Sequence, residues 1–141
     1  MICQITPVYL CDAETLSAIA SSFTKPGSDF NKKLTSGQPL GVYDGLIAVV
    51  RSRTEIIGWA RSETWLQREG RMWDTLESFV SPAHRGRGVA AFAASGLRST
   101  YSYSHTEAVA VFHPHMLLVA KRAGFRPVLF EKEGDQWSKV R

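Results

Sequence analysis

Cysteine is scarce in this chain: 141 residues hold only Cys3 and Cys11, both near the start. Two thiols with no second pair exclude a disulfide framework, and a zinc site would need more ligands. Free thiols in a reducing compartment are expected. Long apolar runs are missing too. None reaches the roughly 18–20 residues needed to span a bilayer. Met1-Ile2-Cys3-Gln4 has neither the basic stretch nor the apolar core of a secretory leader. Internal repeats and low-complexity tracts are also lacking. A cytoplasmic protein with no membrane partner is the expectation.

A strong charge of one sign is absent as well. Seventeen Lys and Arg face thirteen Asp and Glu, a formal net charge of +4. The mild excess suits an anionic ligand. The basic residues are scattered, and the densest group is Arg85 and Arg87 with His84, set among glycines. That pattern favours a compact phosphate group over a polyanion track. No aromatic-basic motif or recognition helix is legible, so nucleic acid is not the expected partner. His113-Pro114-His115 is too thin a set for a metal, and none is expected.

What the chain does have is apolar residues, 44% of the total, enough for one sizeable core in a single domain spanning residues 1–141. Ile2, Ile5, Val8, Tyr9 and Leu10 mark a first strand over 2–10. Asp12 caps a helix whose apolar positions are Leu16, Ile19, Ala20 and Phe23. Lys25-Pro26-Gly27 ends it. A short second helix is expected at 28–36, capped by Ser28 or Asp29, and then a loop to Gly41. Leu46–Val50, Ile56–Ala60 and Met72–Val80 read as three strands joined by short polar turns, and so antiparallel. After the loop at 81–88 come a helix from Val89 to about Thr100 and a strand at Ala108–Phe112. A helix then opens at Pro114 and closes at Gly124. A hairpin, Arg126–Glu131 with Gln136–Val140, ends the chain. The unit at 73–112 is long enough for a parallel crossover, so the fold class is mixed α/β.

The strongest chemical signal is Phe79-Val80-Ser81-Pro82-Ala83-His84-Arg85-Gly86-Arg87-Gly88-Val89-Ala90. A strand ends, a Gly-rich loop follows and a helix begins. First-turn amides of a helix lack intrahelical partners, and the helix dipole adds positive charge there. Glycines let the backbone approach a ligand closely. These features together make a pyrophosphate cradle. The nucleotide P-loop is excluded, because Gly88 is followed by Val89-Ala90 and not by Lys-Ser/Thr. The dinucleotide fingerprint fits Gly86-x-Gly88 with Ala91 third and Glu107 downstream, but antiparallel strands before the loop disfavour it.

Arg85-Gly86-Arg87-Gly88-Val89-Ala90 resembles the Gln/Arg-x-x-Gly-x-Gly/Ala acetyl-CoA motif of the GNAT superfamily of N-acetyltransferases. Lys121-Arg122-Ala123-Gly124-Phe125 resembles that family's later helix end, and Ile57-Gly58-Trp59-Ala60 its strand with an early Gly and an aromatic. The resemblance implies an acyl-CoA N-acyltransferase fold: a central mixed sheet with splayed strands, flanked by helices. It implies acetyl-CoA as co-substrate, held by Arg85, Gly86, Arg87, Gly88, Val89 and Ala90, with the pantetheine arm between the strands ending at Val80 and Phe112. A bulge near Phe79 and Val80 would aim an amide at the thioester carbonyl. The acetyl group would pass directly to an unidentified amine of a small molecule or protein. Glu77, on the same strand face as Phe79, is the candidate base, although the family often places its carboxylate one residue earlier, at Leu76 here. His113 stands where the family often has Asn and is a candidate acid, base or pantetheine partner. Ala120 occupies the usual place of an acidic Tyr, so an acetyl-CoA-binding module with little catalysis is the alternative. Homodimers occur in the family, though no exposed apolar stripe demands one. The acceptor pocket is expected from residues 24–44, the loop at 66–71 and the C-terminal hairpin.

Overall fold

The computed structural model describes residues 1–68, 70–100 and 108–140. Glu107, weighed above from sequence, lies outside them, as do Tyr101 and Tyr103. Seven strands form one mixed sheet in the order of the chain: β1 (Ile2–Pro7), β2 (Leu46–Ser52), β3 (Glu55–Arg68), β4 (Arg71–Val80), β5 (Ala108–Val111), β6 (Arg126–Glu133) and β7 (Gln136–Lys139). Neighbours from β1 to β4 are antiparallel, β4–β5 and β5–β6 are parallel, and β6–β7 is antiparallel. The antiparallel half rules out the doubly wound parallel sheet that the dinucleotide reading requires.

Four helices flank the sheet: α1 (Ala13–Ser22), α2 (Asp29–Thr35), α3 (Val89–Thr100) and α4 (Pro114–Arg122). Their ends follow local chemistry. Asp12 accepts from the Thr15 N–H at 2.7 Å and caps α1, and Ser28 accepts from the Asn31 N–H at 3.2 Å and caps α2. At the end of α4, Gly124 takes φ +92°. Its N–H donates to Lys121 O, and the Phe125 N–H donates to Ala120 O at 2.9 Å. That pair of bonds is the Schellman arrangement. No helix among the described residues is long and apolar enough to cross a membrane.

Strand alternation sorts the apolar residues into layers. Ala48, Val50, Leu76, Val109 and Val111 pack against Val89, Ala93, Leu97 and Met116 of α3 and α4. On the opposite face Ile47, Val49 and Trp59 meet Ile19 and Phe30 of α1 and α2. A third cluster, Leu66, Trp73, Ala110 and Phe130, covers that second face farther along the sheet. Gly58 matters to the first layer, because a Cβ there would stand 2.8 Å from Val89 Cγ1 and 3.0 Å from Phe79 O. Its missing side chain lets the start of α3 press against the sheet.

β3 is longer than its apolar run suggests, reaching Arg68, with an irregularity between Thr64 and Leu66. The β3–β4 register is unshifted from Gly58↔Val80 to Thr64↔Asp74. The bulge expected near Phe79 and Val80 is therefore not there. The extra residue is Trp65, whose ring stacks on Phe112 at 5.6 Å.

Candidate functional site

The Gly-rich loop lies between β4 and α3. Pro82–His84 make one 3-10 turn, held by the His84 N–H on Ser81 O and by Ser81 Oγ against His84 Nδ1 at 2.7 Å. Gly86 and Gly88 follow at φ +78° and +75°, a region that L side chains rarely enter. The space a side chain would take at either glycine is open, with no atom within 4 Å. Gly88 O accepts the first helical bond, from the Phe92 N–H at 2.9 Å. The amides of Val89, Ala90 and Ala91 therefore precede the ladder and have no carbonyl within the helix to bond. Gly88 has no side chain with which to cap them. Arg87 is exposed in this loop. Arg85 turns back: its Nε donates to Val80 O at 3.2 Å and its guanidinium lies 5.9 Å from the Phe79 ring centre.

β4 leads from this loop to a break in the sheet. Among the described residues it pairs with β5 at Asp74↔Val109 and Thr75↔Ala110. Among the described residues, Leu76 to Val80 have β3 on one side and no strand on the other. The Ser81 N–H donates to Ile57 O at 3.0 Å. Alternation then turns the amides of Phe79 and Glu77 toward β3, and those of Val80 and Ser78 toward the open edge. An acceptor in the gap thus meets two backbone donors without any bulge. A cleft of about 160 Å³ occupies the break. Glu77, Ser78 and Phe79 line one wall, and Phe112, His113, His115 and Met116 the other. Thr24, Lys25, Ser28 and Phe30 close it from the α1–α2 side. These four lie within the 24–44 segment that the sequence reading assigned to an acceptor pocket. The loop at 66–71 and the C-terminal hairpin supply none of the cleft's described lining, though Trp137 of β7 packs on Phe112 at 4.6 Å.

Glu77 is held by a residue that carries no signal in the sequence pattern. Arg61 sits directly across from it on β3 and is 5% exposed. Its Nε donates to Glu77 Oε1 at 2.7 Å, its Nη2 to Glu63 Oε1 at 3.0 Å and its Nη1 to Asp44 O at 3.2 Å. Its guanidinium also lies 4.1 Å from the Phe30 ring centre. Burial works against the guanidinium charge, yet Glu77 and Glu63 outweigh it and hold the pKa above the ordinary value. Glu63 is pushed the other way: burial raises its carboxyl above the usual range despite Arg61. The Glu77 side chain stays 43% exposed at the cleft wall. Its partner is thus a buried, fixed cation and not a surface one.

His113 stands at the N-cap of α4, exposed, with its ring stacked on His115 at 5.6 Å. Burial, and then His113, holds the His115 imidazole below its usual pKa. Among the described residues no three His, Cys, Asp or Glu side chains are grouped to hold a metal ion. Ser78 Oγ donates to Met116 Sδ at 3.1 Å, bridging the two cleft walls. Ala120 is fully buried in the core between the sheet and its helices. It contributes packing and no acidic group. No family model, curated protein or solved structure matches this chain.

Of the aromatics, Trp59 lines the cleft and donates its Nε1–H to Phe23 O at 2.6 Å. Trp73 is buried against Phe130, while Tyr43 is 87% exposed and lies away from the cleft. The sequence brought the loop, Glu77, Phe79, Val80 and His113 to attention, and they gather along β4 and its open edge. His115, two residues after His113, extends that side of the cleft, and Arg61 and Ser78 join them only through strand pairing.

Proposed function

We propose that the protein has a GNAT-like fold and transfers the acetyl group of acetyl-CoA to an amine. One observation carries the reading: the open edge of β4 runs straight into a glycine loop and the uncapped start of α3. An extended arm ending in a pyrophosphate needs that combination. Backbone donors line its path, and partner-free amides with a helix dipole wait at its end. The loop amides of Gly86 to Ala91 and the Arg87 guanidinium would hold the pyrophosphate. The Ser78 and Val80 amides would bind the arm and oppose the charge that develops on the thioester oxygen, an effect commonly worth about 3 kcal/mol.

The acetyl thioester supplies an electrophilic carbonyl carbon. The amine nitrogen attacks it, the carbon–sulfur bond breaks, and the sulfur leaves with the electron pair. The nitrogen must also shed a proton. Glu77 accepts it, directly or through a water, on Oε2, while Arg61 fixes the carboxylate through Oε1. The sulfur leaves as thiolate, tolerable for a thiol of pKa near 8.5. His113 and His115, on the opposite wall, are titratable groups that could return a proton to it. Buried Ala120 favours the second reading, an acetyl-CoA-binding module with little catalysis, because the usual acid is missing.

The test is calorimetric titration with acetyl-CoA of the parent and of the Arg87→Glu, Gly88→Glu double variant. Saturable binding by the parent that the variant loses supports the cradle. No binding by folded parent protein overturns both readings. Binding with no thiol release across an amine panel selects the module.

A further inference from the structure

We propose that a second pocket, bounded by Tyr9, Val42, Tyr43 and Glu63, binds a small organic ammonium ion with an apolar body. This proposal stands apart from the transfer reaction and needs neither acetyl-CoA nor the β4 cleft. The pocket measures about 420 Å³. That lies within the roughly 300–1,000 Å³ of small-molecule sites. It forms where the end of β1, the turn at Val42–Asp44 and β3 meet, and Leu46 completes its lining. Two features select the ligand.

The first is charge. Arg61 serves both Glu63 and Glu77, so this group of three, buried at Arg61 and Glu63, carries one negative charge in excess. The adjoining Asp44 is already neutralised by Lys33. Glu63 keeps 15% of its side chain exposed and lines the pocket. A ligand cation beside Glu63 supplies the positive charge that this group of three lacks.

The second is the pair of tyrosines. Tyr43 is 87% exposed, Tyr9 41% and Val42 66%. Aromatic faces attract ammonium groups, and the apolar surface around them suits a hydrocarbon body. Large side chains left in water around a carboxylate-lined cavity are explained by a ligand that is cationic at one end and apolar at the other. An anion would face Glu63 and find no free guanidinium in the lining, and a purely apolar ligand would leave the excess charge unmet.

The test titrates phenethylammonium chloride into the full chain by calorimetry, beside neutral 2-phenylethanol. The ammonium should bind saturably and the alcohol at least about tenfold more weakly. Tyr43→Ala, which removes an exposed ring and no core contact, should weaken the ammonium at least about fivefold. Glu63→Gln, checked for folding by circular dichroism, should weaken it about tenfold. No saturable binding, equal binding of the alcohol, or unchanged affinity in Tyr43→Ala overturns the proposal, even if Glu63→Gln fails to fold.

Discussion

The two edges of β4 have opposite fates. Along one, ten register pairs join it to β3, and every turn of the strand is committed to the sheet. Along the other, pairing with β5 stops at Thr75↔Ala110, and the last five residues are left open. The divergence has a visible cause. β5 is short, ending at Val111, and the chain then turns through His113 into α4. Phe112 and Met116 stand where a continuing strand would have met Ser78 and Phe79. The closed edge fixes geometry, and the open edge offers it. A binding edge is only as precise as the strand carrying it, so the committed side is what gives the free amides their position.

The largest expected effect comes from breaking the closed edge at its buried charge. Arg61→Leu removes the guanidinium bonded to both Glu63 and Glu77 and leaves the mostly buried Glu63 carboxylate without that partner. Stability to urea should fall by about 3 kcal/mol. An unchanged unfolding midpoint would show that the group of three does not brace the strand pair. Next is Gly58→Val, at the register partner of Val80. Its added methyls collide with Val89 and the Phe79 carbonyl, costing about 2 kcal/mol in the same assay and lowering acetyl-CoA affinity by moving α3 away from the sheet.

The open side should respond differently. Gly88→Ala places a Cβ in empty space but at φ +75°, costing roughly 1 kcal/mol of stability. On the proposed reading, acetyl-CoA affinity should fall about tenfold, more than that strain alone predicts, because the methyl would occupy the face offered to the pyrophosphate. A stability loss with unchanged affinity would dissociate the loop from binding.

The smallest effects are in pH dependence, and two carboxylates should show opposite signs. Asp12 is held below its ordinary 3.8 by the Thr15 N–H and hydroxyl. Its contribution is full above 3.8 and disappears as pH falls through its depressed value. Asp12→Ala should therefore lose stability at neutral pH, with the gap to the parent closing in acid. Glu63 is raised above 4.5, so its ionisation disfavours the folded state as pH rises from 4.5 toward the raised value. Over that interval Glu63→Gln should gain stability relative to the parent. Urea unfolding of the three proteins at several pH values between 3 and 7 reads both slopes, and parallel curves would refute the assignments.

Local signals in the chain were strong enough to be read directly. Asp12 and Ser28 as caps, Gly124 as the stop of α4, the full extent of α3 and the glycine loop all depend on neighbours within a few residues. The same holds for the alternation that puts Glu77 and Phe79 on one face. By contrast, β3 runs on through Arg61, Ser62, Glu63 and Thr64, a polar stretch with no strand pattern of its own. It is held by the β4 ladder and by the burial of Arg61 under Phe30. No spacing rule finds Arg61, because its partners lie two, sixteen and seventeen residues away on three elements. The same distance hides the tyrosine pocket, which joins Tyr9, Tyr43 and Glu63 across three segments.

The sequence by itself determined where helices begin and end, which strands alternate, and that a glycine-rich loop leading into a helix follows Val80. Those depend on backbone conformations and hydrogen bonds within single turns. Only the tertiary structure decided that β4 keeps a free edge, that a buried guanidinium holds Glu77 in place, and that the irregularity falls at Trp65 and not at Phe79. Each of these follows from which strand lies beside which, and side-chain burial and charge pairing across a sheet exist only once distant segments have met.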